Sequence, residues 1–147
     1  IIHDTYFYWI HRAMHSPWLY KRFHAVHHAS TNPTPLAAFS FHPGESFLEA
    51  FFLLPLLVAL PLHPAALFTF LTTSHLINAY GHLGVELFPR GSWNSWNFGW
   101  LNTSTHHNLH HQHFRQNYSL YFRIWDLMCG TADKSTEKTF RTLTEKA

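Results

Sequence analysis

Apolar and polar residues follow a helical spacing over most of the chain. The segment "HDTYFYWIHRAMH" contains no Gly or Pro before Ser16 and Pro17, and "WLYKRFHAVHHAS" is a second segment of this kind. Two more helices are predicted at "LNTSTHHNLHHQHF" and "LYFRIWDLM", after the loop "GSWNSWNFGW". Because neither strand-like alternation nor an internal repeat is present, the sequence predicts an all-α fold.

The longest apolar stretch covers residues 44–82 and is divided by "PLHP" at 61–64. Each arm could hold roughly 17 to 19 helical residues, or about 25 to 28 Å, close to a hydrocarbon core of about 30 Å. This pattern favours a transmembrane helical hairpin with the Pro-rich break as its turn. Glu49 and Pro55 in the first arm favour the alternative, a buried hairpin in a soluble protein. We expect the membrane hairpin.

Two crossings would return the chain to the face that it left, so every histidine-rich segment would lie on one side of the bilayer. Basic residues concentrate on the cytoplasmic side of membrane proteins. Six of them share the predicted histidine side: Arg12, Lys21, Arg22, Arg90, Arg115 and Arg123. The sequence therefore predicts an integral membrane protein whose site is on the cytoplasmic face, in a bacterial inner membrane or the endoplasmic reticulum.

The amino-acid composition excludes several kinds of partner and of metal site. The 147 residues suit one domain, 18% are aromatic, and charged residues are 12% against about 25% in ordinary soluble proteins. A net charge of +2 without a basic stripe excludes a nucleic-acid partner. Cys129 is the only cysteine, which excludes an internal disulfide and a multi-cysteine zinc site. Since the chain opens within an apolar segment, we expect a fragment lacking an N-terminal membrane part, with a polar tail at 132–147.

Histidine is the one abundant ligand type, with fifteen copies. Eight of them fall into three groups, called boxes below, whose spacing puts the members of each group on one face of a helix. The first box has histidines at i and i+4, and the other two have them at i, i+3 and i+4. The boxes are His11 and His15; His24, His27 and His28; and His107, His110 and His111. A structural zinc ion takes four ligands and a catalytic one three, so eight or more imidazoles indicate two metal ions. Imidazole binds zinc, copper, iron and nickel, so the ligands alone do not identify the metal.

Further donors are predicted on the second arm of the hairpin and at the start of the chain. His75, Asn78 and His82 lie at i, i+3 and i+7. Asn78 is one turn from His82 and His75 is two, about 10 Å. We therefore expect Asn78, through a water, to complete the His82 side, and His75 to pack or to form a hydrogen bond. Asp4 shares the His11 face and is a candidate to orient an imidazole or to interact with the helix dipole.

The remaining histidines fall outside the repeated spacing and are expected to be hydrogen-bonded or interfacial. They are His3, His42, His63, His106 and His113. For Asp126, in "IWDLMCG", a surface or loop-pinning role is predicted.

Three segments, "HDTYFYWIHRAMHSPWLYKRFHAVHH", "TPLAAFSFHPGE" and "HHNLHHQHFRQNYSLYFRIWDLMCGT", resemble the fatty acid hydroxylase superfamily, closest to its sterol desaturase members. The resemblance covers nearly the whole chain as a single domain, 1–147. It implies a membrane di-iron oxygenase that uses O2 to hydroxylate or desaturate a lipid, with electrons from an external protein resembling cytochrome b5 or ferredoxin. It also implies the metal ligands His11, His15, His24, His27, His28, His82, His107, His110 and His111. The three residues within "HRAMH" match the sterol desaturase branch.

Two other classes use many histidines. A membrane zinc-binding or metal-transport protein would place its ligands within spanning segments near the midplane. A di-haem protein needs only pairs of axial histidines, which the two HxxHH boxes exceed.

Overall fold

The computed structural model describes residues 1–146 and is all-helical, as predicted. Within that range the only strand-type pairing is one isolated antiparallel bridge between Leu101 and Phe122. Eight α-helices follow one another: α1 Ile2–Met14, α2 Pro17–Leu19, α3 Pro43–Ala50, α4 Leu53–Ala59, α5 Pro64–Gly81, α6 Ser104–His113, α7 Ile124–Met128 and α8 Thr136–Lys146. Short π or 3-10 turns lie at Tyr20–His24, His27–Ala29, Pro35–Phe39 and Ser92–Asn94. Ala147, the end of the predicted polar tail, lies outside the described residues.

Proline and histidine together set two helix starts. Both α3 and α5 begin with a proline, whose missing N–H costs nothing at the first helical position. The preceding histidine caps each helix: His42 Nδ1 accepts from the Gly44 amide at 3.0 Å, and His63 Nδ1 accepts from the Ala65 amide at 3.2 Å. Two histidines outside the boxes therefore have a local structural role.

The predicted transmembrane hairpin at 44–82 is not observed. Its first arm forms two short helices, α3 and α4, interrupted at Phe51 and Phe52. Pro55 explains the break, because a helical proline clashes with the carbonyl four residues earlier, here that of Phe51. The second arm is a continuous helix, α5, but Thr, Ser, His and Asn lower its hydropathy. Among residues 1–146, no helix combines the length and apolar character needed to cross a membrane.

The second predicted helix is also irregular. After α2, the chain forms a π turn in which the Ala25 amide donates to the Tyr20 carbonyl, five residues earlier, at 2.9 Å. A 3-10 turn at His27–Ala29 follows. The wide turn followed by a tight one changes the directions of the histidines between 24 and 28 from those of a regular helix.

The interior holds more polar than apolar side chains. Buried apolar residues are few, among them Phe7, Met14 and Leu109, whereas most of the boxed histidines are almost completely buried. α5 packs on α6 and on the turn at 35–39, and α1 packs on α3. These contacts surround a histidine cluster and leave many apolar residues on the outside.

Candidate metal centre

The fold brings nine imidazoles into two adjacent groups, with the ligand nitrogens of each group within 4.8 Å of one another. The five-histidine centre consists of His11, His15, His24, His28 and His110. The four-histidine centre consists of His27, His82, His107 and His111. The groups adjoin where the rings of His28 and His111 lie 4.5 Å apart, centroid to centroid.

Each HxxHH box is divided between the two centres. In the second box the outer pair, His24 and His28, joins the five-histidine centre, and the middle residue, His27, joins the other. In the third box the assignment is reversed, since the outer residues go to the four-histidine centre and His110 to the five-histidine centre. The boxes thus bridge two sites, whereas their spacing alone indicates only a shared face.

Backbone carbonyls orient several of these rings. His82 Nδ1 donates to the Asn78 carbonyl at 2.7 Å, and His111 Nδ1 donates to the Ser30 carbonyl at 2.9 Å. Likewise, His11 and His110 donate from Nδ1 to other carbonyls: those of Tyr118 at 2.7 Å and Gln116 at 2.6 Å, respectively. A carbonyl carries no proton, so each of these imidazoles must be protonated on Nδ1 and bears its lone pair on Nε2.

Because of this tautomer, lone pairs of the four-histidine centre point toward one another and require a positive ion between them. The Nε2 atoms of His82 and His111 lie 3.1 Å apart, and both carry a lone pair, so they cannot form a hydrogen bond with each other. His27 and His107 place their own Nε2 atoms 3.2 Å and 3.0 Å from that of His82. Converging buried lone pairs repel one another unless a positive ion lies between them. The donors therefore fit a metal ion.

Burial keeps the imidazoles neutral, which is the form that binds metal. It lowers the pKa of His11 to about 4 and that of His111 to about 3. It also lowers the pKa values of His107 and His110 well below the ordinary value, and neighbouring histidines add to the effect.

Two glutamates that the sequence reasoning did not assign to the site support it. Glu45 is fully buried, and its carboxylate lies 2.7 Å from His24 Nδ1. Glu86 accepts from the Thr105 hydroxyl at 2.6 Å and from the Tyr80 hydroxyl at 3.0 Å, which ties the start of α6 to the end of α5. The available signal was that both acids lie in otherwise apolar segments, where a buried acid needs a hydrogen-bond partner.

Asp126 has the predicted loop-pinning role. It is fully buried and accepts from the amides of Tyr118 and Ser119 at 2.9 and 3.0 Å, and from the Thr131 hydroxyl at 2.7 Å. Because the Tyr118 carbonyl accepts from His11, Asp126 holds the loop that orients this imidazole.

Three other candidates are placed away from the ligand nitrogens. The Asn78 side-chain amide donates to the Ala38 carbonyl at 3.0 Å, so Asn78 reaches His82 through its backbone. His75 is exposed and donates to the carbonyl of the residue one turn earlier at 2.7 Å. Asp4 accepts from the Tyr121 amide at 2.8 Å rather than from an imidazole.

The five histidines outside the repeated spacing, which are His3, His42, His63, His106 and His113, also lie outside both groups. His3 forms a hydrogen bond with the Tyr121 hydroxyl at 2.7 Å. His106 is buried 3.5 Å from Asp126, and the ring of His113 contacts the carboxylate of Asp133.

An apolar cavity of about 330 Å³ adjoins the centres. Phe7 and Phe41 line it, and their rings lie 5.1 Å from that of His11 and 4.9 Å from that of His27. Asn78, whose carbonyl orients His82, forms another part of the wall. Both centres therefore border a space suited to a hydrophobic molecule.

Fold and site define a class of helical proteins with two adjacent histidine groups that could each hold a metal ion, next to an apolar cavity. The fatty acid hydroxylase family model matches residues 1–131, and the chain belongs to this family.

Curated relatives agree with this assignment. A very-long-chain aldehyde decarbonylase of Oryza sativa subsp. indica is 36% identical over 145 residues, covering 93% of this chain and 23% of the relative. One of Arabidopsis thaliana is 33% identical over 149 residues, covering 95% and 23%. Cholesterol 25-hydroxylase of Homo sapiens is 34% identical over 132 residues, covering 89% and 48%. The chain thus spans from 23% to 48% of the length of these relatives. No solved structure matches it.

Proposed function

We propose that this chain carries the active site of an O2-dependent di-iron oxidoreductase that hydroxylates or desaturates a C–H bond of a sterol or fatty acyl lipid in lipid biosynthesis. The observation that carries the proposal is that two all-histidine centres lie next to an apolar cavity, separated from it by the rings of Phe7 and Phe41. Bound iron would supply the redox chemistry by which O2 oxidises an unactivated C–H bond. The relatives named for a very-long-chain aldehyde and for cholesterol support a lipid substrate.

The protein's own residues provide a rigid, dry setting. The neutral imidazoles of the five-histidine and four-histidine centres would each hold one ion. Carbonyls and Glu45 fix the directions of the rings, which limits their motion during turnover. Phe7 and Phe41 present hydrocarbon to the cavity and exclude water from the reacting carbon.

We propose that a separate protein of the cytochrome b5 or ferredoxin type supplies the electrons, as the family resemblance implies.

A lipid bilayer is the proposed environment. No Asp, Glu, Lys or Arg occurs from residue 50 to residue 81, and this stretch exposes large apolar side chains. They include Phe51, Leu54, Leu57, Val58, Leu60, Phe68 and Leu76. An exposed apolar surface of this extent is typical of proteins that contact membranes or partners. We propose that it contacts hydrocarbon and that the metal centre faces the cytoplasm, where the basic residues would lie.

The test is anaerobic loading of the purified protein with Fe²⁺, followed by metal analysis, an optical spectrum and O2-uptake measurements. We expect two iron ions per chain, no Soret band, and O2 uptake that requires both a lipid and a reductant. His110→Ala and His111→Ala should each lose about one metal equivalent, because they serve different centres. His63→Ala, a helix cap, is the matched control and should keep both ions.

The alternative is a membrane zinc-binding or metal-transport protein without redox chemistry. Two tightly bound zinc ions, with no lipid-dependent O2 uptake after iron loading, would favour it. A Soret band would indicate haem ligation instead.

A further inference from the structure

The apolar cavity contains an isolated acid. Among its lining residues, Glu49 is the one carboxylic acid, set among phenylalanine and leucine side chains such as Phe52, Leu53 and Phe70. Within residues 1–146 no group forms a hydrogen bond with the Glu49 carboxyl. Its neighbour Tyr6 donates instead to the Leu48 carbonyl at 2.6 Å.

The position of Glu49 relative to the metal centres follows from α3. Glu45 contacts His24 of the five-histidine centre, and Glu49 is one helical turn further along the same face. Their separation of four residues corresponds to an axial displacement of about 6 Å. Glu49 therefore lies in the wall of the cavity, one turn away from the residue that supports the metal site.

A carboxyl group in apolar surroundings favours its uncharged form, because charging it requires solvation that hydrocarbon does not provide. The uncharged group can donate its O–H to a carbonyl or hydroxyl oxygen, and its C=O can accept from a hydroxyl. A ligand carboxylate would suit the cavity poorly, because its charge would lose the solvation of water among apolar side chains.

We propose that Glu49 is a specificity-determining residue that binds the hydroxyl or carbonyl oxygen of an uncharged lipid, while the apolar cavity around it disfavours a ligand carboxylate. This inference rests on the proposed function, because it assigns the cavity to the lipid substrate. It makes the acceptable substrates long-chain alcohols, aldehydes and sterols rather than free fatty acids.

The test compares ligands that share one hydrocarbon chain. Equilibrium binding of radiolabelled 1-hexadecanol and hexadecanoate is measured at pH 7 in neutral detergent micelles, with the zinc-loaded protein so that no turnover occurs. Wild type should bind the alcohol at least about tenfold more tightly than the acid, because the apolar cavity accepts an uncharged hydroxyl and must desolvate a carboxylate.

Two variants separate the contributions of charge and hydrogen bonding. Glu49→Gln keeps a donor and an acceptor but cannot ionise, so it should keep the wild-type affinities for both ligands. Glu49→Leu should lose about tenfold in alcohol affinity. Glu137→Gln, on the exposed face of α8, is the control and should behave as wild type.

The outcomes distinguish this proposal from the proposed function. If Glu49→Leu binds the alcohol as tightly as wild type, or if Glu49→Gln loses alcohol affinity, Glu49 does not bind the ligand oxygen as an uncharged group, even if the lipid oxidation is correct. Equal wild-type affinities for alcohol and acid overturn it too. If wild type binds neither lipid, the cavity is not a lipid site, and the proposed function fails with it.

Discussion

Replacing Asp126 by alanine should destabilise the protein and disturb one metal centre. The Asp126 carboxylate accepts hydrogen bonds from the amides of Tyr118 and Ser119 and from the hydroxyl of Thr131, at 2.7 to 3.0 Å. The Tyr118 carbonyl in turn accepts from His11 Nδ1 at 2.7 Å. Removing the carboxylate leaves two backbone N–H groups buried without an acceptor, since alanine has no polar side-chain atom.

The expected magnitude follows from these three bonds. A hydrogen bond to a charged group contributes about 1.5 to 3 kcal/mol, and a buried unsatisfied donor costs about 1 to 3 kcal/mol. Because neighbouring losses overlap, we expect Asp126→Ala to lower the free energy of unfolding by about 3 to 6 kcal/mol. That is a large part of a typical stability of about 5 to 15 kcal/mol. Asp126→Asn, which keeps one acceptor oxygen, should cost less.

The assay is chemical unfolding in detergent, with metal content measured on the same samples. Glu137→Ala is the control, since it removes an exposed ion pair with Arg141 and should change the free energy of unfolding by less than about 1 kcal/mol. We expect Asp126→Ala to weaken metal binding at the five-histidine centre, which contains His11. If Asp126→Ala unfolds like the Glu137→Ala control, the loop that Asp126 holds does not contribute as its hydrogen bonds indicate.

Two further predictions concern the imidazoles. Glu45→Leu removes the hydrogen-bond acceptor for His24 and should lower the metal affinity of the five-histidine centre by about 10- to 100-fold, measured by competition with a chelator. Glu45→Gln should lose much less affinity. Equal weakening of both centres would contradict this prediction. The metal-free protein should lose stability as the pH falls from about 6.5 toward 4, because the unfolded chain then binds protons that the folded protein excludes. In the folded protein the pKa is about 4 for His11 and about 3 for His111, so the free energy of unfolding should fall by about 1.4 kcal/mol per pH unit for each histidine. Unfolding titrations between pH 8 and pH 5 test this expectation. Equal stability across that range would refute it.

The residue pattern along the chain predicts structure well at positions where neighbouring residues alone decide the conformation. The starts of α3 and α5 at Pro43 and Pro64, and the end of α1 before Pro17, follow from the restricted geometry of proline. For the 44–82 segment the local pattern was not sufficient. Its apolar composition indicated a long hairpin, but Pro55 interrupts the first arm.

The sequence by itself determined the helical class and nine imidazoles as candidate ligands, because helical spacing sets the relative directions of residues three and four apart. Only the tertiary structure decided how those imidazoles divide into five and four. The division depends on the π turn after α2 and on acceptors far along the chain. His11 meets a carbonyl 107 residues away, and His111 meets one 81 residues away. The cavity beside Phe7 and Phe41 has the same origin, since its walls come from segments that meet only when the chain folds.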